Sequence, residues 1–349
     1  MLTVVTGASG HVGGNLVREL LARGRKVRAM VHTEARALDG LDVEVVRGDV
    51  RDVGSLRRVF AGAERVFHLA ALISIDGDKL GLVPATNVEG ARNVASTALE
   101  CGVKRLCHFS SIHAFHIAAH GQAVDETRPR AVAPHEGAYD RSKAAGEAAV
   151  REVIGRGLDA VIVNPTAILG RHDYGPSRMG RVFLDLFHGR LPSLVDGGFN
   201  WVDVRDVVAG ALAAEEKGRT GESYILSGHW FSVPELAAMV EQVTGKRPPR
   251  FTSPMWLART GAPFVELFGR LTGKEALYTR ESLAALRSNR SVSHQKATAE
   301  LGYRPRPTVE TVEDTYHWLV EAGIVPPGAI RRPAAGAKPE AGSIVRPAP

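Results

Sequence analysis

A glycine-rich turn near the N-terminus constrains this chain more than any other stretch. Residues 2–5 form an apolar run of the length that a buried parallel strand uses. Glycines follow at Gly7, Gly10 and Gly13, and a helical pattern with one apolar face then begins. Such glycines let the backbone turn tightly and approach a ligand, while the start of the helix offers free N–H groups. This order predicts a pyrophosphate cradle rather than an ordinary strand-to-helix turn.

Composition places the chain among globular proteins and excludes several classes of function. The 349 residues are 44% hydrophobic and carry a formal charge of +6, but the basic residues are scattered, so we expect anionic ligands and no nucleic-acid partner. Two cysteines, Cys101 and Cys107, imply no disulfide framework and no thiolate metal site. Because we find no leader sequence and no membrane-spanning apolar run, we expect a cytoplasmic protein that is not integral to a membrane.

Apolar runs and helical patterns alternate through the first half of the chain. Strands are predicted at 26–31, 43–47, 65–69 and 103–109, with helices between them. This alternation predicts an α/β fold with a doubly wound parallel Rossmann sheet. Ligands bind at the carboxyl ends of the strands in such sheets.

The end of the second strand bears on the choice of dinucleotide. NAD-preferring folds place an acid there, but residues 31–33 carry none, and His32 and Arg36 stand nearby together with Arg28. We therefore expect NADP to be preferred, although Glu34 keeps NAD open and Arg36 could be a solvated loop charge. Asp49, at the end of the third strand, can accept a hydrogen bond from adenine. The small residues Ala70 and Ala71 let the backbone run close to the cofactor.

A tyrosine and a lysine four residues apart suggest the chemistry. Tyr139 and Lys143 share one face of a predicted helix, where the ammonium would lower the pKa of the phenol. Tyr139 could then exchange a proton with a substrate hydroxyl while hydride moves to or from a nicotinamide. Ser111, at the end of the fifth strand, could hold the same oxygen. A solvated Tyr–Lys pair is the alternative interpretation.

Together these motifs resemble those of the extended short-chain dehydrogenases/reductases, in the group of NAD(P)-dependent epimerases and dehydratases, dihydroflavonol 4-reductases and 3β-hydroxysteroid dehydrogenases. The resemblance covers about residues 1–325. The segments that carry it are TGASGHVG (6–13), GDVRD (48–52), HLAA (68–71), NVEG (87–90), Ser110-Ser111, the Tyr139/Lys143 pair, Asn164-Pro165, WVDVRDV (201–207) and KATAELGYRP (296–305).

The resemblance implies a role for individual residues. Ser111, Tyr139 and Lys143 would be the catalytic residues. The implied cofactor contacts are Gly7, Ser9, Gly10, His11, Val12 and Gly13 at the pyrophosphate, His32 and Arg36 at the ribose, Asp49 and Val50 at adenine, and Ala70, Ala71, Tyr139, Lys143 and Pro165 towards the nicotinamide, with Asn87 supporting the site. The resemblance also implies a homodimer formed through helices at about 81–101 and 139–155.

One departure from the family pattern limits the reaction. Sugar-nucleotide dehydratases of this group carry Asp-Glu directly after the catalytic Ser or Thr, whereas this chain has Ile112 and His113. We therefore do not favour elimination of water. His113 is interpreted as a pocket-lining imidazole, with an additional proton carrier as the alternative. No metal site is expected from His108, His113, His116 and His120, because no carboxylate or cysteine joins them at ligand spacing.

The second half of the chain loses the strict alternation. We assign 1–165 and about 200–228 to the dinucleotide domain, about 166–199 and 229–325 to a smaller C-terminal substrate-binding lobe, and 326–349 to a disordered tail. Residues 201–214 and 223–226 are expected to return to the main sheet. The apolar segment 253–269 is either lobe core or a lid over an apolar substrate.

Three functions follow from these features. The first is an NADP-preferring oxidoreductase that acts on a secondary alcohol or ketone of a small molecule. The second is a sugar-nucleotide epimerase that uses tightly bound NAD and the same Tyr139 twice. The third is a non-catalytic NADP-sensing regulator, against which the intact Ser111, Tyr139 and Lys143 argue.

Overall fold

Within the described residues, seven parallel strands form the central sheet. The computed structural model describes residues 1–73, 81–117, 122–262, 283, 286 and 290–331. The strands of this sheet are β1 (Leu2–Thr6), β2 (Lys26–Val31), β3 (Glu44–Arg47), β4 (Arg65–His68), β5 (Arg105–Phe109), β6 (Ala160–Pro165) and, later in the chain, β10 (Ser223–Leu226). Their spatial order is β10–β6–β5–β4–β1–β2–β3. The order reverses at β1, so a crevice for ligands opens beside the glycine turn.

Helices cover both faces of this sheet, which confirms the doubly wound Rossmann fold. The helices are α1 (His11–Ala22), α2 (Val53–Phe60), α3 (Leu82–Pro84), α4 (Gly90–Glu100), α5 (Ala138–Ile154), α6 (Arg178–Phe187), α7 (Val204–Lys217), α8 (Val233–Thr244), α9 (Gln295–Leu301) and α10 (Thr308–Glu321). α1, α7 and α9 pack on one face, and α2, α4 and α5 on the other. β5 and β6 are buried along their whole length, as strands covered on both sides must be.

Local capping signals explain where several helices begin. Asp52 is the N-cap of α2, where its side chain accepts a hydrogen bond of 2.9 Å from the Gly54 amide. Ser232 and Glu235 form a capping box at the start of α8. A five-residue π-helical turn, Ala85–Glu89, joins α3 to α4.

The C-terminal lobe has its own core. β7 (Ala167–Leu169), β9 (Gly198–Asp203) and β11 (His229–Ser232) form a three-stranded sheet, and β8 (Leu194–Val195) pairs with β12 (Thr252–Ser253). Side chains of α6, α8 and α10 pack together there, and the rings of Phe183 and Phe187 both contact the ring of Tyr316. No helix among the described residues is long and apolar enough to span a bilayer.

The expectation that residues 201–214 return to the main sheet is wrong for the strand portion. Trp201 lies in β9, which pairs with β7 and β11, while β10 occupies the sheet edge beside β6. Only α7 returns to the main sheet, against which its apolar face packs. The domain boundaries drawn from the sequence stay a prediction.

The described start of the predicted tail packs against the lobe. Ile330 contacts the lobe core, and the Arg331 amide donates a 2.8 Å hydrogen bond to the Val243 carbonyl, so the disorder expected from residue 326 is wrong for 326–331. Residues 332–349 lie outside the described residues, as do His120 and the 263–269 portion of the apolar segment. In its described part, Ala262 is buried while Trp256 is 69% exposed.

Candidate active site

The glycine turn between β1 and α1 is shaped by two close approaches of backbone to backbone. Gly7 has a φ of +68°, and a Cβ there would lie 2.7 Å from the Ala70 nitrogen. A Cβ on Gly13 would lie 2.2 Å from the Gly7 carbonyl oxygen. Gly10 is the N-cap of α1, and no side chain caps the helix. The first-turn N–H groups therefore remain available, and the cradle fits a pyrophosphate.

The same turn is tied to the C-terminal lobe. The imidazole Nε2 of His11 and the amide of Asn15 both contact the Arg171 carbonyl oxygen, at 3.0 and 2.9 Å. The His11 side chain is thus engaged by the protein, which leaves its backbone N–H for the predicted cofactor contact. Ser9 and Val12 lie in the turn and the first helical residues, as the sequence predicts.

At the adenosine end, the expected residues lie at the ends of β2 and β3. His32 and Arg36 are exposed, and His32 Nε2 lies 3.7 Å from the Asp49 carboxylate. Arg51 donates to both oxygens of that carboxylate, and this contact lowers the pKa of Asp49. Arg28 points elsewhere, because it donates to the carbonyls of Val59 and Ala61. Arg28 therefore does not support a preference for NADP.

The backbone after β4 is held in place by Asn87. Its amide group exchanges two hydrogen bonds with the backbone of Leu72, at 2.8 and 2.9 Å, and donates a third to Ser142 Oγ at 3.0 Å. Asn87 therefore fixes the segment that includes Ala70 and Ala71 against α5. Val50 is buried beside α4, and Pro165 ends β6 within the sheet.

The structure brings Ser111, Tyr139 and Lys143 to the carboxyl end of β5. Ser111 is the second residue after β5, and its Oγ accepts a 3.2 Å hydrogen bond from the His113 amide. Tyr139 lies in the first turn of α5, and Lys143 follows one turn later. Lys143 Nζ lies 6.0 Å from the centre of the Tyr139 ring and 3.5 Å from the Phe109 carbonyl oxygen.

Burial shifts the pKa values of these two groups in opposite directions. Burial raises the pKa of Tyr139 to about 12, although the neighbouring Ser111 hydroxyl opposes the shift. Burial lowers the pKa of Lys143 to about 8, although the charge of Glu147 opposes it. The expected lowering of the Tyr139 pKa by Lys143 is therefore not seen, because desolvation dominates. Tyr139 keeps its proton near neutral pH, as a donor to a carbonyl oxygen requires.

A buried hydrogen-bond network lies behind these groups, and it was not predicted from the sequence. Glu147 is 1% exposed, and its carboxylate accepts hydrogen bonds from Arg130 Nε at 2.8 Å and from the Asn164 amide at 2.6 Å. Asn164 also donates to the Ser111 carbonyl oxygen at 2.9 Å. The spacing of four residues from Tyr139 through Lys143 to Glu147 was a usable signal, since it places all three on one helix face.

His113 lies beside Tyr139. The centres of the two rings are 5.5 Å apart with edge-on geometry, and His113 Nδ1 lies 2.8 Å from the Asp140 carboxylate. His113 was predicted from the sequence to line the pocket, but its contact with Asp140 was not predicted.

Two further histidine groups lie near the site. His68 and His108, on neighbouring strands, have ring centres 5.1 Å apart, and burial lowers the pKa of His68 to about 3 and that of His108 well below its usual range. Among the described residues, one set of three possible metal ligands comes together, with ligand atoms within 4.8 Å of one another: His116, His135 and Glu136. Helical spacing of histidines alone could not reveal that set.

A small pocket lies between the start of α1 and the lobe. His11, Asp173 and Trp318 contribute to its wall, and Ser111, Tyr139 and Lys143 do not. The pocket is therefore separate from these three residues.

Comparison with known proteins agrees with this geometry. The model of the NAD dependent epimerase/dehydratase family matches residues 3–227. The chain is 39% identical over 335 residues to sterol demethylase protein B of Methylococcus capsulatus, covering 93% of this chain and 100% of the relative. It is 30% identical over 345 residues to a 4-hydroxy-2-methyl-3-oxo-4-farnesyl-3,4-dihydroquinoline-1-oxide ketoreductase of Stigmatella aurantiaca, covering 93% and 98%. The crystal structure of gox2253 superimposes with a TM-score of 0.80 at 35% identity, covering 92% of this chain and 98% of that one.

Proposed function

The chain belongs to the NAD-dependent epimerase/dehydratase family, within the extended short-chain dehydrogenases/reductases, and we propose that it reduces an apolar ketone to a secondary alcohol with NADPH. The observation that carries the proposal is the placement of Ser111, Tyr139 and Lys143 beside a glycine cradle that fits a dinucleotide. A bound reduced dinucleotide supplies the hydride.

The protein's own groups handle the substrate oxygen. Tyr139 donates its phenolic proton to the carbonyl oxygen as that oxygen gains negative charge, and Ser111 Oγ holds the same oxygen in line. Lys143 places a positive charge close to the phenolate that remains. Because burial raises the pKa of Tyr139 to about 12, the proton needed for reduction is in place at neutral pH.

Arginines of the lobe that already pair with carboxylates favour an apolar substrate over a sugar nucleotide. Several arginines of the lobe could have bound a diphosphate, but Arg190 pairs with Asp185 at 2.8 Å and Arg171 lies 3.7 Å from Glu321. Large apolar side chains are exposed on the same lobe, among them Phe251 at 56% and Trp256 at 69%. The relatives named for a sterol and for a farnesylated ketone point in the same direction.

A binding and turnover experiment tests the proposal. Calorimetry compares NADPH with NADH, and turnover is then measured on cyclohexanone, 5α-cholestan-3-one, UDP-glucose and UDP-glucuronic acid. We expect tighter binding of NADPH and net oxidation of NADPH by a ketone. Tyr139→Phe should bind NADPH normally and lose about 10² to 10⁴ of the turnover. Tightly retained NAD together with epimerisation of a UDP-sugar would contradict the proposal in favour of the epimerase.

We also propose that the protein forms a homodimer through α4 and α5, which pack against each other in the protomer. Light scattering on the purified protein measures its mass directly, and a monomer at micromolar concentration would contradict this proposal.

A further inference from the structure

His113 is held by the same two elements that hold the catalytic residues. Its backbone amide donates to Ser111 Oγ at 3.2 Å, and its ring stands edge-on to Tyr139 with centres 5.5 Å apart. Its Nδ1 lies 2.8 Å from Asp140, the residue that follows Tyr139 on α5. The imidazole therefore lies beside Ser111 and Tyr139, the two groups proposed to hold the substrate oxygen.

The contact with Asp140 decides what the imidazole can do. With Nδ1 bonded to a carboxylate, the neutral ring carries its proton on Nδ1 and presents Nε2 as a base. The carboxylate also stabilises the imidazolium that forms when Nε2 takes a proton. The two side chains are only 28% and 21% exposed, so this is not a solvated surface pair. Hydride transfer to a ketone needs one proton, and Tyr139 supplies it.

We propose that His113 is a second acid–base group, which moves a proton at the carbon next to the reacting carbonyl. The substrate class is then a ketone with at least one hydrogen on that carbon. This inference rests on the proposed function, because it takes Tyr139 and Ser111 as the groups that hold the carbonyl oxygen.

The step balances without any further reactant. His113 Nε2 takes the proton from the carbon, the C–H electron pair becomes the carbon–carbon double bond, and the carbonyl π pair moves to the oxygen, which takes the Tyr139 proton. Return of a proton from Nε2 to the carbon, and of the phenolic proton to Tyr139, regenerates the ketone. In heavy water the imidazolium exchanges with solvent, so the ketone gains deuterium.

Deuterium exchange tests this step separately from hydride transfer. The probes are cyclohexanone and 5α-cholestan-3-one in heavy water, with the protein loaded with NADP⁺ so that no hydride is available. Mass spectrometry follows deuterium in the recovered ketone, and reduction by NADPH is measured in parallel. His113→Gln keeps a hydrogen-bonding side chain but cannot take up a proton. His317→Gln, at an exposed position on α10, is the matched control.

We expect the wild-type protein and His317→Gln to exchange the probe faster than buffer alone. His113→Gln should lose about a hundredfold or more of the exchange, and a much smaller part of the reduction. The proposal is overturned if the wild-type protein reduces a probe without exchanging it, or if His113→Gln exchanges at the wild-type rate. Exchange without reduction would support this inference and contradict the proposed reductase activity. A protein that neither exchanges nor reduces the probes would contradict both proposals.

Discussion

Glu147 Oε1 accepts a 2.6 Å hydrogen bond from the Asn164 side-chain amide, and this contact joins α5 to β6 behind Ser111 and Lys143. Both residues are buried, at 1% and 0% exposure. Asn164 passes the contact on to the carbonyl oxygen of Ser111, and the charge of Glu147 raises the pKa of Lys143 against the effect of burial. One buried carboxylate thus positions Ser111 and keeps Lys143 charged.

We predict that Glu147→Gln changes both stability and the pH dependence of turnover. The free energy of unfolding should fall by about 3 kcal/mol, because Arg130 loses its buried partner. Without the carboxylate the pKa of Lys143 falls further below about 8, so the alkaline limb of the kcat/KM profile should move to lower pH. Urea unfolding and a pH–rate profile measure the two effects.

Glu152→Gln is the control for this variant. Glu152 lies on the same helix, but it is 59% exposed and pairs with Arg92 at the surface. Its loss should cost less than about 1 kcal/mol and leave the profile in place. An unshifted alkaline limb in Glu147→Gln would show that Glu147 does not control the charge of Lys143.

Local signals explain how much of this fold could be predicted from the sequence. Most strands of the main sheet are short apolar runs bounded by turns, and their alternation with helices requires parallel crossovers. The parallel sheet and the glycine cradle could therefore both be predicted. β9 was misplaced because its partners, β7 and β11, are chosen by packing within the lobe. An apolar run does not state which sheet it joins.

The candidate site, too, could be predicted only in part from the sequence. Tyr139 and Lys143 share a helix face, and spacing along the chain is enough to pair them. The partners of Glu147 could not be found by spacing, because Arg130 and Asn164 come from a loop and a strand outside α5. The rise in the Tyr139 pKa was missed for a related reason: it comes from the protein around the hydroxyl and not from a neighbour in sequence.

Gly13→Ala should weaken dinucleotide binding at least tenfold in a protein that still folds. A Cβ at this position would lie 2.2 Å from the Gly7 carbonyl oxygen, so the cradle must open to accept it. We expect NADPH affinity to fall tenfold or more, which corresponds to about 1.4 kcal/mol. Gly328→Ala, where a Cβ would meet nothing within 4 Å, should bind normally. Calorimetry measures the affinities, and equal affinity in both variants would refute the assignment of the cradle.

Arg36→Gln should weaken NADPH binding and leave NADH binding unchanged. Arg36 is exposed beside the end of β2, in the short helical turn Arg36–Leu38, where a ribose 2′-phosphate is expected. A charge-assisted hydrogen bond contributes about 1.5–3 kcal/mol, so the NADPH affinity should fall by about tenfold or more. Titration of each dinucleotide at two salt concentrations measures this. The same loss for NADH would mean that Arg36 does not contact the 2′-phosphate.

The last prediction concerns acid stability and the buried pair His68 and His108. Burial lowers the pKa of both imidazoles from the ordinary 6.5, that of His68 to about 3, so the folded chain keeps them neutral in mild acid. The unfolded chain binds a proton at each as the pH falls below 6.5, and the free energy of unfolding therefore falls with the pH. Each such group contributes up to about 1.4 kcal/mol per pH unit to the slope. His108→Leu removes one of them, so the slope between about pH 6 and pH 4.5 should become shallower by roughly one proton. Urea unfolding over this range measures the slope.

His317→Gln, at an exposed position on α10, should leave the slope unchanged. If His108→Leu keeps the wild-type slope, the imidazole of His108 takes up a proton in the folded chain, and the buried pair does not account for the loss of stability in acid.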